Sequence, residues 1–278
     1  MKIKFTKMHG AGNDFVLIDD REGKVPWEDH FLMASVAARR TGIGCEGVIL
    51  VQKSDKADFR MRFLNPDGTE VEMCGNGSRC AAAFAHSIGA SSKALTMETM
   101  CGLVDAQLTD TGVCVWMPEP TKRAYGLELK VGDETVRGDF INTGVPHFVV
   151  QVPNIGNVDV QRIGRALRLH PAFAPDGTNV DFVTFRAPNR MSMRTYERGV
   201  EAESGACGTG AVACVVVAVE TAGFSLPSIV KTPSGYDLTV AGDWRHHKCT
   251  GLTLYGPVKF VFAGEIELDD MDLGGEID

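Results

Sequence analysis

Residues 74–89 read CGNGSRCAAAFAHSIG, and residues 207–223 read CGTGAVACVVVAVETAG. Each stretch opens on Cys-Gly-x-Gly, continues as an apolar run rich in alanine or valine, and closes on glycine. That is the pattern of a helix that starts at a glycine turn and stops at a glycine C-cap, so helices are expected over 78–88 and 211–222. The run VACVVVAV is β-branched and favours strand by propensity alone. Its unbroken apolarity points instead to a helix buried on all sides. Position 207 lies 133 residues after position 74, and the same shift carries Phe15-Val16 onto Phe148-Val149 and Gly44 onto Gly177. It also lays Val48-Ile49-Leu50 over Asp181-Phe182-Val183. Several features that share one offset, in one order, read as an internal repeat. Two like halves are expected, 1–130 and 131–278, with the join near 127–138.

Around these helices the pattern is short strands. Segments 15–19, 48–52 and 60–64 read as strands in the first half, with counterparts at 148–152, 182–185 and 191–196 in the second. Further runs at 103–109, 113–117, 135–140 and 252–262 favour antiparallel pairing. The fold class is α+β: two pseudo-repeated domains, each a largely antiparallel sheet wrapped around a central helix.

Composition narrows the function. With 44% hydrophobic and 23% charged residues the chain has the make-up of a globular protein with a sizeable core. The net charge of −8 argues against a nucleic-acid surface, which needs a basic patch. Part of the acidity sits in the segment 265–278, read as a solvated tail. The longest apolar run, 211–219, is too short to span a bilayer, and the N-terminus lacks a signal-peptide pattern. A soluble cytoplasmic chain with reduced thiols is expected. No CxxC pair occurs among the eight cysteines, so a zinc ribbon or a thioredoxin-type site is not expected. Cys45, Cys80, Cys101, Cys114, Cys214 and Cys249 read as small buried hydrophobes.

Cys74 and Cys207 read differently. A cysteine at a helix start sits beside the positive end of the helix dipole, which favours its thiolate. The glycines after it leave backbone N–H groups open to a carboxylate. Two such turns in matched halves supply two thiols for one substrate. Inversion at an α-carbon needs a base on one face and an acid on the other. A thiol with an ordinary pKa of about 8.5 serves either role after a shift of roughly one unit. The residues thus point to an amino-acid isomerase that needs neither cofactor nor metal.

Six motifs then give the sequence a resemblance. KMHGAGNDF (7–15), GIGCEGVIL (42–50), FLNPDGTEVEMCGNGSRC (63–80), NTGVPHFV (142–149), GTNVDFV (177–183) and YERGVEAESGACGTGA (196–211) run in the order found in the diaminopimelate epimerases, which the chain resembles along nearly its whole length. The resemblance implies conversion of L,L-diaminopimelate to the meso form, for lysine and peptidoglycan synthesis, without pyridoxal phosphate. It implies Cys74 and Cys207 as the proton-transfer pair, His147 as the histidine tuning the first cysteine, and Glu197 as the glutamate beside the second. Gly75, Asn76, Gly208 and Thr209 match the donors to the reacting carboxylate. Asn13, Asn65, Asn179 and Arg198 match substrate-binding positions, Arg198 suiting a bidentate grip on the distal carboxylate. The expected partner is a small diamino dicarboxylate, with no nucleic acid and no membrane, and a homodimer is the expected assembly.

Alternatives stay open on the residues themselves. Asn13 and Asn65 adjoin glycine or proline and have the chemistry of turn formers. His147 follows a proline and could cap a turn, and Glu197-Arg198 could be a surface ion pair. Gly47, Val145 and Ser204-Gly205 depart from the family pattern, which bears on the fine substrate contacts. A related two-cysteine racemase for proline, hydroxyproline or histidine is the nearest rival. GTGAVA resembles a dinucleotide turn, but no buried strand pattern precedes it. A non-catalytic binding module would have little use for two thiols.

Overall fold

The computed structural model describes residues 1–71, 74–186, 188–245 and 248–268. Tertiary contacts gather into two compact units: Met1–Val115 joined by the stretch that begins at Pro257, and Trp116–Gly256. The first contains β1 (Lys2–Gly10), β2 (Asn13–Asp19), α1 (His30–Ala37), β3 (Val48–Gln52), β4 (Phe59–Leu64), α2 (Gly75–Ser87), β5 (Ala94–Thr99), β6 (Gly102–Leu108) and β7 (Val113–Trp116). The second contains β8 (Thr121–Val131), β9 (Glu134–Asn142), β10 (Pro146–Gln151), α3 (Val160–Arg168), β11 (Asn179–Arg186), β12 (Arg190–Glu197), the short β13 (Ala202–Ser204), α4 (Gly208–Thr221), β14 (Ser228–Lys231), β15 (Asp237–Arg245) and β16 (Lys248–Gly256). The chain then returns to the first unit as β17 (Val258–Glu267), antiparallel to β1.

The repeat is visible in the pairing. In the first unit the strands run β17-β1-β2-β3-β4-β5-β6-β7, antiparallel except for β2 with β3 and β4 with β5. In the second they run β8-β9-β10-β11-β12-β14-β15-β16, antiparallel except for β10 with β11 and β12 with β14. A parallel pair needs a crossover, and each of the four parallel pairs is bridged by one of the four helices. The shift of 133 carries the register pair Val16↔Val48 onto Val149↔Asp181. The fold is thus the sheet-rich α+β pseudo-repeat expected from the sequence.

Two stretches lie across the expected 130/131 join. β8 pairs with β9 and belongs to the second unit, and β17 pairs with β1 and belongs to the first. The expected strand over 252–262 is two strands, parted at Pro257, which has no N–H to donate to a ladder. Of the acidic segment 265–278, residues 265–267 close β17, where Glu267 pairs with Lys2 in register and meets the Met1 amino group at 2.7 Å. Residues 269–278 lie outside the described residues.

Both central helices start earlier than expected, at the glycine turn itself, and each stops at a left-handed glycine, Gly89 and Gly223 (both φ +70°). α4 is buried continuously from Gly208 to Val219 despite its β-branched run. Sheet contacts on every side outweigh a propensity penalty of tenths of a kcal/mol per residue. No described helix is long and apolar enough to cross a membrane.

Candidate functional site

Each unit carries a cysteine turn at the start of its central helix. In the first unit Cys74 is the N-cap of α2, extended at φ −134° and ψ 113°, and its Sγ accepts the Gly77 N–H at 3.3 Å. The Ser78 N–H reaches the Cys74 carbonyl at 2.8 Å and closes the first turn. A helix leaves its first N–H groups without intrahelical acceptors, and here those are Gly75 and Asn76. The end of β1 lies against this turn: a Cβ on Gly10 would stand 2.8 Å from the Asn76 carbonyl oxygen. Gly10 pairs with Asn13 in the β1–β2 hairpin. Asn13 is buried, and its Oδ1 has no hydrogen-bond partner among the described residues. Asn65 opens the turn after β4, its carbonyl accepting the Gly68 N–H at 2.9 Å.

In the second unit Cys207 is the N-cap of α4, at φ −120° and ψ 113°, and its Sγ accepts the Gly210 N–H at 3.4 Å. A buried chain of polar groups leads from this sulfur. Cys207 Sγ lies 3.5 Å from Thr209 Oγ1, Thr209 Oγ1 lies 2.9 Å from His147 Nε2, and His147 Nδ1 lies 2.7 Å from Asp181 Oδ2. The other Asp181 oxygen accepts from Thr195 Oγ1 at 2.7 Å. The Asp181 carboxylate accepts the Nδ1–H, and the Thr209 hydroxyl stands between His147 Nε2 and the Cys207 sulfur, within reach of both. Asp181 approaches the helix so closely that a Cβ on Gly210 would collide with its carboxylate, which is why glycine stands there.

Asn179 sits beside His147 across the parallel β10–β11 pair. Its Nδ2 donates to the Pro146 carbonyl at 3.2 Å and its Oδ1 accepts the Arg198 N–H at 2.8 Å. The half-buried Arg198 side chain reaches the Asp176 carbonyl at 3.4 Å. Glu197 acts on the Cys207 turn through its charge. Burial, then the negative charges of Glu197 and Asp181, push the Cys207 thiol well above its ordinary range, against the opposing bonds from Thr209 and Gly210. At Cys207, desolvation and the two carboxylates oppose the effect of the helix start.

The second unit thus gathers His147, Asn179, Glu197, Arg198, Cys207, Gly208 and Thr209, and the first gathers Asn13, Cys74, Gly75 and Asn76. Asn65 is half-buried in the turn after β4 and makes no side-chain hydrogen bond among the described residues. Sequence reasoning missed Asp181, which it met only as the position that the repeat lays over Val48; an acid in a run as apolar as NVDFV was the available signal. It also missed Arg79, wholly buried in α2. His147, Asp181 and Cys207 bring ligand-type atoms within 4.8 Å of one another, so a soft divalent cation would meet a donor set there. Binding one would cost His147 a hydrogen bond at each ring nitrogen used. Of the six other cysteines, Cys45, Cys80, Cys214 and Cys249 are buried as expected. Cys101 is exposed in the β5–β6 turn and Cys114 is half-buried in β7.

Gly47, where some family members carry glutamine, has a local reason. A Cβ there would collide with the Phe63 ring, so the small residue and the large one go together.

Comparison with known proteins places these features in a family. A family model described as diaminopimelate epimerase matches residues 5–122 and 140–261. The diaminopimelate epimerase of Aquifex aeolicus is 44% identical over 86% of this chain and 89% of its own. That of Hydrogenobaculum is 40% identical over 95% and 98%. Among solved structures, a hydroxyproline epimerase from Agrobacterium vitis with bound trans-4-hydroxy-L-proline superposes with a TM-score of 0.74 at 18% identity, covering 97% of this chain and 93% of that one. A PhzF-family phenazine biosynthesis protein from Bacillus anthracis gives 0.75 at 16%, covering 96% and 99%. At such identities the structural likeness concerns the fold.

Proposed function

We infer the reaction from one premise: the chain belongs to the diaminopimelate epimerase family, and it is an isomerase. It converts L,L-2,6-diaminopimelate into the meso form for lysine and peptidoglycan synthesis, with no cofactor, through Cys74 and Cys207. The observation that carries this reading is the pair of cysteine N-caps, alike in backbone geometry and each accepting the N–H of its second glycine. The two like domains each bring one of these thiols.

One sulfur, as thiolate, takes the α-proton, and the other, as thiol, delivers a proton to the opposite face of the carbanion. The product leaves the two sulfurs with exchanged protonation, and water restores them. While the proton is absent, charge moves onto the α-carboxylate, which the N–H groups of Gly75, Asn76, Gly208 and Thr209 bind. The resemblance pairs His147 with Cys74; because its hydrogen bonds lead through Thr209 to Cys207, we assign it instead, with Glu197, to the proton on Cys207. Asn13, Asn65, Asn179 and Arg198 hold the distal amino acid group, Arg198 by its planar fork. A cytoplasmic location and a homodimeric assembly belong to the same proposal, the latter testable by sedimentation.

Incubation in deuterated buffer tests the whole reading. Meso product should carry one α-deuterium, and retention of the original α-hydrogen in inverted product refutes proton transfer by two groups. Proline, hydroxyproline and histidine are the competing substrates. The first domain's turn and Arg198 suit a substrate with a second carboxylate, so these should react poorly. Arg198→Ala should lower kcat/KM for diaminopimelate by ~2–5 kcal/mol in transition-state free energy, with incomplete rescue by Arg198→Lys. Preference for proline, or no effect of Arg198→Ala, removes the diaminopimelate assignment.

A further inference from the structure

Arg79 is fully buried in the first turns of α2. Helical side chains lean toward the N-terminus, and this one folds back onto the cysteine turn. Its Nη1 donates to the Gly75 carbonyl at 3.2 Å and its Nη2 to Asn76 Oδ1 at 2.6 Å, while Nε has no hydrogen-bond partner among the described residues. Among the described residues no carboxylate pairs with it, in contrast to Arg62, which meets Glu70. Among the described residues, the titratable groups that act on its charge are the thiols of Cys80 and Cys74. Burial lowers the guanidinium to about 10, which still leaves it charged at neutral pH. Cys80 cannot answer that charge, because burial drives its thiol far above the ordinary range.

A buried cation held by neutral dipoles alone is unfavourable unless an anion comes to it. Two anions belong at this turn, the Cys74 sulfur as thiolate and a carboxylate at the helix start. The second turn has no such cation: the shift of 133 puts Val212 at the place of Arg79. Asp181 and Glu197 there surround Cys207 with negative charge.

We propose that Arg79 is a positioning residue: it clamps the Cys74-Gly75-Asn76-Gly77 turn and supplies a buried positive charge that assigns the anionic sulfur of the empty enzyme to Cys74 rather than Cys207. The inference rests on proton transfer by both thiols and adds which one is loaded before substrate arrives. The free enzyme then needs no proton shuffle to begin in one direction, and the reverse direction begins only after the two sulfurs exchange protons with water.

The test is iodoacetamide pulse-labelling of the intact protein across neutral and alkaline pH, with mass spectrometry resolving the two cysteines. The midpoint of each profile is compared rather than its rate, because Cys207 is the more enclosed. In wild type the Cys74 midpoint should lie below that of Cys207. Arg79→Met should raise the Cys74 midpoint by about one unit, slowing labelling about tenfold near neutral pH, and leave Cys207 unchanged. Arg79→Lys keeps the charge and should keep the Cys74 midpoint, while lowering kcat through loss of the clamp. An unmoved Cys74 midpoint in folded Arg79→Met overturns the proposal. So does a wild-type Cys207 midpoint at or below that of Cys74, which requires no variant. Labelling uses no substrate, so failure to turn over diaminopimelate would remove the substrate assignment and leave this result standing.

Discussion

In both units a sheet with two parallel pairs surrounds a helix whose N-cap is a cysteine, yet the charged residue enclosed beside the turn differs in sign and in origin. The first turn has Arg79, reaching back along the helix, and the valine Val48 on β3. The second has Asp181 on β11, the strand position equivalent to Val48, and Val212 on the helix. The repeat preserves backbone and thiol, and exchanges a helix cation for a strand anion. In the proposed reaction that difference favours one ionised and one protonated thiol. Two like groups are made unlike by their surroundings, as in any acid–base pair that shares a substrate.

The largest expected effect falls where the units are alike. Cys74→Ala and Cys207→Ala should each lower epimerisation by about 10²–10⁴-fold, the range for a positioned acid–base group, with the fold retained in circular dichroism. If either variant keeps most of its turnover, the equivalence of the two turns is lost and one thiol suffices.

A smaller effect should appear where they differ. Asp181→Asn keeps shape and removes the charge that orients His147, so kcat should fall by about 10²-fold, the low end of the same range. The sign on the thiol follows from the causes of its shift. The Asp181 charge raises the Cys207 thiol, so its removal should bring Cys207 labelling to lower pH, opposite to the displacement expected of Cys74 in Arg79→Met. An unchanged Cys207 profile would mean that Asp181 is structural only.

The smallest effect concerns stability. A Cβ at Gly210 meets the Asp181 carboxylate, whereas one at Gly77 meets Ile49 Cδ1 at 3.2 Å, Cys74 Cβ at 3.3 Å and Met61 Cε at 3.4 Å. Flexible methyl groups yield more readily than a carboxylate fixed by two hydrogen bonds. Gly210→Ala should therefore cost about 1–3 kcal/mol. Gly77→Ala should be near neutral, because the gain in helix propensity of roughly 0.5–1 kcal/mol offsets the crowding. Urea midpoints measured side by side decide it, and equal losses would deny that Asp181 crowds its helix.

What the sequence determined by itself was the repeat and the chemistry at its centre. Cys-Gly-x-Gly followed by an apolar run and a closing glycine is local information, since a cap, a helix and a C-cap are settled within some fifteen residues. That sufficed for α2, α4 and the two thiols, and the shared offset sufficed for two like units. The strands at 48–52, 60–64 and 191–196 were legible because their alternation or apolarity is also local. α1 and α3 were not, for α1 is uniformly apolar over eight residues and α3 is short and strongly charged. The return of β17 to β1 was equally hidden, since only pairing between the two ends of the chain places it. The charges that set the thiols apart lay deeper still. Asp181 was written inside an apolar strand and Arg79 inside an alanine-rich helix. Sequence gives such residues no partners, and only the packed units show that one carboxylate meets His147 and that one guanidinium meets no carboxylate among the described residues. Proton affinity depends on desolvation and on charges brought near by distant strands, so which sulfur holds its proton was decided by tertiary structure.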